Sequence, residues 1–228
     1  MSKKIQAVLF DMDGVLVDSE PVILAAAMAC LKEYGLQPKD KDFIPYIGAG
    51  EDRFIGGVAE KYGLIYRKEM KERVYQIYRE IAPEKLRIYE GAAELLIQLK
   101  QYGIHCILAS SADQTKIQTN LNVAGIHENL FSAIISGEDV DRKKPAPDIY
   151  LTAARKVNIP PINCVVVEDA LNGIKAAKAA GMKCIAVATT FDRQRLQEEK
   201  PDFICGQIVE VGDKIKALIL IHERCNED

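Results

Sequence analysis

The chain has no excess of positive charge and no long hydrophobic segment. Its 228 residues include 30 lysines and arginines against 33 aspartates and glutamates, which gives a net charge of −3. Nucleic acids and anionic membranes bind concentrated basic faces, so the sequence predicts neither kind of partner. The apolar stretch near the N-terminus ends at Asp11. It is therefore too short for the apolar region of a signal peptide or for a membrane span.

The cysteine and histidine spacings that are typical of metal and disulfide sites are also absent. The six cysteines form no CxxC pair, and the three histidines have no metal-ligand spacing. Three cysteines lie inside or next to apolar runs, where buried, reduced thiols are the natural interpretation. We therefore expect a cytoplasmic protein. We also expect a monomer, with a dimer as the alternative.

Four short apolar runs are each followed by a charged or hydroxyl side chain. The runs and the groups after them are Ile5–Phe10 with Asp11 and Asp13, Ile104–Ala109 with Ser110, Ala133–Ile135 with a loop that contains Lys144, and Val165–Val167 with Glu168 and Asp169. If the runs are parallel strands, all of these groups lie at the carboxyl edge of one sheet, where open α/β folds bind ligands. Together they supply the carboxylates, the hydroxyl and the cation that phosphoryl transfer needs.

After residue 104, short apolar runs alternate with helical patterns such as Gln114–Ala124. This alternation predicts an α/β fold, a Rossmann-like parallel sheet with helices on both faces. The segment between the first two runs differs, because helical patterns at Pro21–Tyr34, Asp52–Tyr62 and Lys68–Ile81 follow one another without a convincing strand. We therefore expect an α-helical cap domain at residues 19–86, inserted after the first strand. The core domain would comprise residues 1–18 and 87–228.

Asp11 and Asp13 leave the first predicted strand and enter a glycine turn. Carboxylates held close together repel each other and reduce stability unless a cation compensates them. The functional interpretation is that Asp11 attacks phosphorus while Asp13 transfers the proton of the leaving group. The alternative is a solvated loop followed by a helix, with Ser19 or Glu20 as its cap.

The other three strand ends carry the remaining candidates. Asp169, after Glu168, either caps the next helix or binds a metal, and hard oxygen ligands beside a phosphate favour Mg²⁺. The hydroxyl of Ser110 and the backbone N–H groups after it can hold a phosphate oxygen, although serines at strand ends also cap helices. Lys144, which precedes a proline, is a candidate for neutralising charge between the carboxylates and the phosphate.

At this point a family resemblance is visible. The stretches DMDGVLVDSEP, LASSAD, KKPAPDIY and VVEDALNGI, in this order, resemble the four motifs of the haloacid dehalogenase superfamily. More narrowly, the chain resembles the β-phosphoglucomutase-like phosphatases, whose helical cap follows the first motif. The resemblance covers nearly the whole chain and implies Mg²⁺-dependent phosphoryl transfer through an aspartyl-phosphate.

The resemblance also implies a role for each motif residue. In the order of the chain, the implied roles are a nucleophile at Asp11, an acid/base at Asp13 whose backbone carbonyl binds the metal, a phosphate-binding hydroxyl at Ser110, a bracing cation at Lys144, and metal ligands at Glu168 and Asp169. Two departures weaken a mutase interpretation. Ile23 stands where β-phosphoglucomutases have a histidine, and Glu51 stands near the place of their cap arginine.

The cap loop Tyr46–Arg53 resembles a substrate-specificity loop, although its glycines can also simply shape a turn. This loop and the second motif supply the substrate-binding candidates, which are Gly48, Glu51, Arg53 and Ser111. Arg53 is the cation of the loop that could meet a second anionic part of a substrate.

The sequence therefore predicts a Mg²⁺-dependent phosphatase that hydrolyses a small phosphorylated metabolite, a sugar phosphate or a similar phosphomonoester. One alternative is a sugar-phosphate mutase of the β-phosphoglucomutase type. An alternative from a different class is a phospho-accepting or binding module without catalytic activity. A receiver of this kind would not need the helical insertion, and an idle module would be expected to have lost one of the polar groups, none of which is missing.

Overall fold

A six-stranded parallel sheet forms the centre of the protein, in a computed structural model that describes residues 5–47 and 50–224. The strands are β1 (Ala7–Phe10), β2 (Val17–Asp18), β3 (Arg87–Ile88), β4 (His105–Ala109), β5 (Ala133–Ile135), β6 (Cys164–Glu168), β7 (Lys183–Val187) and β8 (Phe203–Cys205). The strand order of the large sheet is β5-β4-β1-β6-β7-β8, and β2 pairs with β3 in a separate antiparallel ribbon. All four apolar runs that end in reactive groups are therefore neighbouring strands of one parallel sheet.

The topology places β1 between β4 and β6, with Phe10 aligned with Leu108 on one side and with Val167 on the other. From β1 the chain builds the sheet first in one direction, through β4 and β5, and later in the other, through β6 to β8. Such a switch point opens a crevice beyond the carboxyl ends of the strands. The candidate residues lie at this crevice.

Ten helices accompany the strands in the described part of the chain. They are α1 (Glu20–Glu33), α2 (Asp40–Phe43), α3 (Glu51–Lys61), α4 (Lys68–Lys85), α5 (Ala92–Gln101), α6 (Gln114–Ala124), α7 (Asp148–Lys156), α8 (Leu171–Ala179), α9 (Arg193–Glu198) and α10 (Val211–Arg224). The predicted range of α6 is correct. The predicted end of α4 at Ile81 is wrong, because the helix continues to Lys85 through Pro83. The sequence patterns also do not predict α2 and α10.

The large sheet buries both of its faces, as the alternation along β1 shows. Val8 and Phe10 belong to a cluster with residues of α5, α6 and α10, whereas Ala7 and Leu9 belong to a cluster with residues of α7, α8 and α9. All four side chains have no exposed surface. Successive strand residues point to opposite faces of a sheet, so the helices cover both faces as the sequence predicts.

The helices α1–α4 bury a third hydrophobic cluster of their own. Val22 of α1, Ile55 of α3 and Val74 of α4 are among its fully buried members. The cluster is anchored to the rest of the protein through α4 and α6, where the Tyr78 hydroxyl donates a hydrogen bond of 2.6 Å to the Asn120 side chain. The segment between β2 and β3 is thus helical, as predicted. The domain boundaries at residues 18 and 87 stay a prediction.

The five cysteines within the described residues are buried and unpaired, in agreement with the predicted reduced thiols, whereas Cys225 lies outside these residues. Among the helices that the structure describes, none combines the length and the hydropathy that crossing a membrane requires.

Candidate active site

Backbone hydrogen bonds continue past the ends of β1 and β4 and fix the first candidate residues at the edge of the sheet. The N–H of Asp11 donates to the carbonyl of Val167 at 3.0 Å, and the N–H of Ser110 donates to the carbonyl of Ile135 at 3.0 Å. Both side chains line a cavity of about 190 Å³ together with Lys144, Glu168 and Asp169. Residues far apart in the sequence thus meet in one place because each ends or follows a parallel strand.

Lys144 lies in the loop after β5 and joins two carboxylates inside this cavity. Its Nζ donates to Asp11 Oδ1 at 2.6 Å and to Glu168 Oε1 at 2.7 Å, and its side chain is only 6% exposed. Burial opposes the charged form of Lys144, but the carboxylates of Asp11 and Glu168 outweigh burial and raise the pKa of this amine. Lys144 therefore holds a permanent positive charge beside the Asp11 carboxylate.

Glu168, at the end of β6, is held by hydrogen bonds to both of its oxygens. The Tyr150 hydroxyl donates to Oε1 at 2.9 Å, and the backbone N–H groups of Asp169 and Ala170 donate to Oε2 at 2.9 Å each. The helix-capping interpretation of Asp169 is wrong, because Ala170 occupies the N-cap position of α8. The Asp169 side chain instead stays beside Asp11 and Glu168.

Three buried carboxylates form a cluster that fits a divalent cation. Asp11, Glu168 and Asp169 each offer one oxygen, and these oxygens all lie within 4.8 Å of one another. Burial raises the pKa of Asp11 to about 7 and the pKa of Asp169 well above its ordinary value. Lys144 contributes one positive charge against three carboxyl groups, so a hard cation such as Mg²⁺ would complete the balance.

Two glycines leave the space that this cluster occupies. A Cβ atom on Gly173, inside α8, would overlap the Glu168 carboxylate, and a Cβ atom on Gly14 would overlap the carboxylate of Asp169. Gly14 also has a φ of +75°, which side chains other than glycine rarely adopt. The carboxylates of Glu168 and Asp169 can thus take their positions only because these two residues have no side chain.

We expect the substitution Gly173→Ala to lower the affinity for Mg²⁺ by about 10–100-fold, because the new methyl group displaces Glu168 from its hydrogen bonds. The measurement is a Mg²⁺ titration followed by calorimetry. Gly212→Ala is the matched control, since Gly212 is a helical glycine whose Cβ would only approach Leu95 at 3.3 Å and Gln98 at 3.6 Å. Equal Mg²⁺ affinities in the two variants would contradict the role of Gly173.

We expect Mg²⁺ to raise the melting temperature more at about pH 8 than at about pH 5. Folded Asp11 and Asp169 keep their protons to a higher pH than unfolded carboxyl groups do. The metal-free protein therefore loses stability as the pH rises from the ordinary pKa of these groups, and through about 7 for Asp11. A bound Mg²⁺ offsets this loss of stability. At high pH fewer protons compete with Mg²⁺ for the carboxylates. A thermal shift that is equal at both pH values, or that persists in Asp169→Asn, would contradict the assignment.

Asp13 lines the same cavity as the carboxylate cluster but has its own set of partners. Lys116 Nζ donates to its Oδ2 at 2.8 Å, and the hydroxyl of Ser19 donates to its Oδ1. Ser19, one of the two predicted cap residues, occupies the N-cap position of α1, although its side chain forms no capping hydrogen bond there. The Asp13 carboxylate is also not part of the cluster of three, so a metal contact from Asp13 stays a prediction for its backbone carbonyl.

Lys116 is a site residue that the sequence analysis does not identify. It lies on α6 with its side chain only 3% exposed, and it contacts Asp13 at 2.8 Å and the cap residue Glu51 at 3.5 Å. These two carboxylates outweigh burial and raise its pKa well above the ordinary value. One sequence pattern could have indicated it. Lys116 and Asn120, four residues apart, lie on the face of α6 that also carries the buried Ile117 and Leu121.

A second, smaller cavity of about 60 Å³ lies between the helical insertion and the sheet. Glu51, Ser111 and Ile23 line it, and Asp13 and Ser111 also line the larger cavity. Burial raises the pKa of Glu51, and Lys116 opposes this rise. The two cavities therefore adjoin each other, with Asp13 and Ser111 at the junction.

The remaining candidates differ in whether they join this arrangement. Ser110 does: it lines the larger cavity, it is 1% exposed, and its Oγ accepts a hydrogen bond of 3.2 Å from the N–H of Ala112. Arg53, however, pairs with Glu60 of its own helix at 3.1 Å and lies over the Tyr46 ring, with 58% of its side chain exposed. Gly48 lies outside the described residues.

Comparisons with known proteins agree with this geometry. Residues 8–187 match the family of haloacid dehalogenase-like hydrolases. Protein SUPPRESSOR OF QUENCHING 1, chloroplastic, of Arabidopsis thaliana is 42% identical over 90% of this chain, which spans only 20% of the length of that relative. The phosphorylated carbohydrates phosphatase of Thermotoga maritima is 33% identical over 79% of this chain and 83% of its own.

A solved structure shares the fold as well. The crystal structure of a β-phosphoglucomutase from Clostridium difficile superimposes with a TM-score of 0.79 and 25% identity, over 95% of this chain and 99% of that one. The family match covers the first, second, third and fourth predicted motifs alike. The chain therefore belongs to the haloacid dehalogenase-like hydrolases.

Proposed function

We propose that this protein is a Mg²⁺-dependent phosphatase that hydrolyses a small phosphomonoester through an aspartyl-phosphate. One observation carries the proposal. The buried Asp11 carboxylate is held at 2.6 Å from Lys144 beside two further acidic groups, while Asp13 is held separately by Lys116. A nucleophile in a charge-compensated pocket and a distinct acid/base at the cavity junction are the two groups that this chemistry requires.

The first half of the reaction forms a bond between Asp11 and phosphorus. The Asp11 carboxylate attacks, the bond between phosphorus and the leaving oxygen breaks, and Asp13 gives a proton to that oxygen. Lys144 and the hydroxyl of Ser110 stabilise the charge on the transferring phosphoryl oxygens. Bound at the three carboxylates, Mg²⁺ would supply additional charge neutralisation.

The second half restores the enzyme. Asp13 takes a proton from a water molecule whose oxygen attacks phosphorus, and the acyl-phosphate bond to Asp11 breaks to release inorganic phosphate. The Asp13 carboxylate accepts hydrogen bonds from Ser19 and Asn120 at Oδ1 and from Lys116 at Oδ2. These contacts keep one side chain in place for both proton transfers.

The relatives support a phosphatase more than a mutase. One of them is named a phosphorylated carbohydrates phosphatase, and the chain spans most of its length. The Clostridium difficile structure is named a β-phosphoglucomutase, but Ile23 and Glu51, the two residues that depart from the mutase pattern, both line the smaller cavity. A binding module without activity has no need for the complete set of polar groups that lines the larger one.

A cytoplasmic location and a monomeric state stay predictions. The buried, unpaired cysteines of the described residues favour a reducing compartment. The expected binding partner is the small phosphorylated substrate.

The test is a phosphate-release screen with p-nitrophenyl phosphate, sugar phosphates, nucleotides and phosphorylated acids. We expect turnover that requires Mg²⁺ and stops with a chelator. Mass spectrometry after an acid quench should detect one added phosphoryl group on the protein, in the peptide that contains Asp11. No phosphate release from any ester of the screen would overturn the proposal.

A further inference from the structure

The charged side chains that line the smaller cavity favour some leaving groups of a phosphate ester over others, according to the charge of the leaving group. The charged residues of its wall are three with carboxyl groups, Asp13, Glu20 and Glu51, and one with an ammonium, Lys116. Its apolar wall includes Ile23 and Phe54. A volume of about 60 Å³ has room for about five water-sized groups. The cavity therefore fits a small group that is part apolar and part hydrogen-bonding.

The positive charge of Lys116 is already engaged by the protein itself. Its Nζ lies 2.8 Å from Asp13 and 3.5 Å from Glu51, and its side chain is 3% exposed. A substrate anion would have to share the charge of Lys116 with both carboxylates. The cavity would then hold three acidic groups and a further anion against one ammonium.

The neighbouring cations are engaged by other carboxylates. Arg53 pairs with Glu60 at 3.1 Å, and Lys71 lies 2.8 Å from both Asp52 and Asp113. Among the described residues, Lys116 is thus the one cation that lines the smaller cavity. The two residues of this loop outside the description, Gly48 and Ala49, carry no charge in their side chains.

We propose that Glu20 and Glu51 are specificity-determining residues that exclude a second negative charge, so that the substrate is the phosphomonoester of a small uncharged polyol. This inference rests on the proposed phosphatase function and names its substrate class. Carboxyl oxygens accept hydrogen bonds from hydroxyl groups, and an anion placed against them is repelled. In either protonation state, the two glutamates offer no positive charge to a carboxylate or a second phosphate. A phosphorylated acid and a bisphosphate are therefore both disfavoured.

Matched pairs of esters test the inference on the unmodified enzyme. Glycerol 3-phosphate and 3-phosphoglycerate share one carbon skeleton, as do 2-hydroxyethyl phosphate and phosphoglycolate, and each pair exchanges a hydroxymethyl group for a carboxylate. We expect kcat/KM to be at least about tenfold higher for the uncharged member of each pair. Equal or better turnover of the acids would overturn the inference.

Two variants test whether Glu51 and Glu20 are the residues that exclude a second negative charge. In Glu51→Gln, the ratio of kcat/KM between the uncharged ester and the acid of each pair should fall by about fivefold or more, chiefly because the KM for the acid falls. Adding Glu20→Gln should lower this ratio further. Glu72→Gln is the control, because Glu72 is exposed on α4 and does not line the cavity. An unchanged ratio in the double variant would overturn the assignment of Glu20 and Glu51.

The two levels of the proposal fail in different ways. Absence of phosphate release from every ester, including p-nitrophenyl phosphate, would overturn the phosphatase function itself. Efficient release with a preference for the acids would leave that function intact and overturn only the exclusion of a second charge.

Discussion

The Asp11→Asn variant is expected to release no measurable phosphate, with kcat/KM lower by roughly four orders of magnitude or more. The amide has nearly the shape of the carboxylate but is not a nucleophile. The fold should survive, because Lys144 keeps its second partner Glu168 at 2.7 Å. The measurements are phosphate release from p-nitrophenyl phosphate with Mg²⁺ and the mass of the acid-quenched protein. The variant should show no added phosphoryl group.

The control for Asp11→Asn is the same chemical change at a distant position. Asp202 precedes β8 and accepts a hydrogen bond of 2.8 Å from the N–H of Cys184. Asp202→Asn should retain the activity of the wild type and its phosphorylated intermediate. If Asp11→Asn retained more than about a hundredth of wild-type turnover, water would attack the ester directly and the covalent route would be wrong.

The Asp13→Asn variant is expected to separate the two halves of the reaction. With alkyl phosphates, kcat/KM should fall by about 10²–10⁴-fold, because an alkoxide leaves poorly without a proton. With p-nitrophenyl phosphate the first half needs little acid catalysis, since p-nitrophenolate is a stable anion. The second half still lacks its base. We therefore expect a burst of p-nitrophenolate equal to the amount of enzyme, followed by slow turnover.

The burst identifies the role of Asp13 more directly than the loss of activity does. During slow turnover, the acid-quenched Asp13→Asn protein should carry one phosphoryl group in the peptide that contains Asp11. Asp18→Asn, a change five residues further along the chain, provides the control without a burst. Equal losses of kcat/KM for both classes of ester, without a burst of p-nitrophenolate, would contradict a proton-transfer role for Asp13.

The sequence alone predicts the parallel sheet and the groups at its carboxyl edge. The apolar runs before Asp11, Ser110 and Glu168 can be recognised in the sequence, because a short continuous apolar run is typical of a buried strand. Parallel pairing then brings the ends of these strands to one edge, whatever the intervening chain does. For this reason the cluster around Lys144 could be predicted before the structure was known.

The direction of individual side chains could not be predicted in the same way. Lys116 pairs with Asp13, 103 residues earlier in the chain, and no local pattern announces such a partner. The Ser19 hydroxyl could accept a hydrogen bond from a backbone N–H at the start of α1 or donate one to the Asp13 carboxylate, and in the structure it donates to Asp13. Arg53 turns to Glu60, seven residues further along α3, instead of the cavity. The positions of Lys116 and Ser19 depend on contacts between elements, which a single sequence does not contain.

The ribbon of β2 and β3 has a consequence for how substrate preference can change. Val17 pairs with Ile88 and Asp18 with Arg87, so the chain departs for the helical insertion and returns from it at the same point. Insertions whose two ends lie side by side can be exchanged with little effect on the host. Replacing the helical insertion between these two strands with a different one would therefore change which alcohol part of the phosphate ester binds. The residues at the carboxyl edge of the sheet that bind the phosphate would be retained.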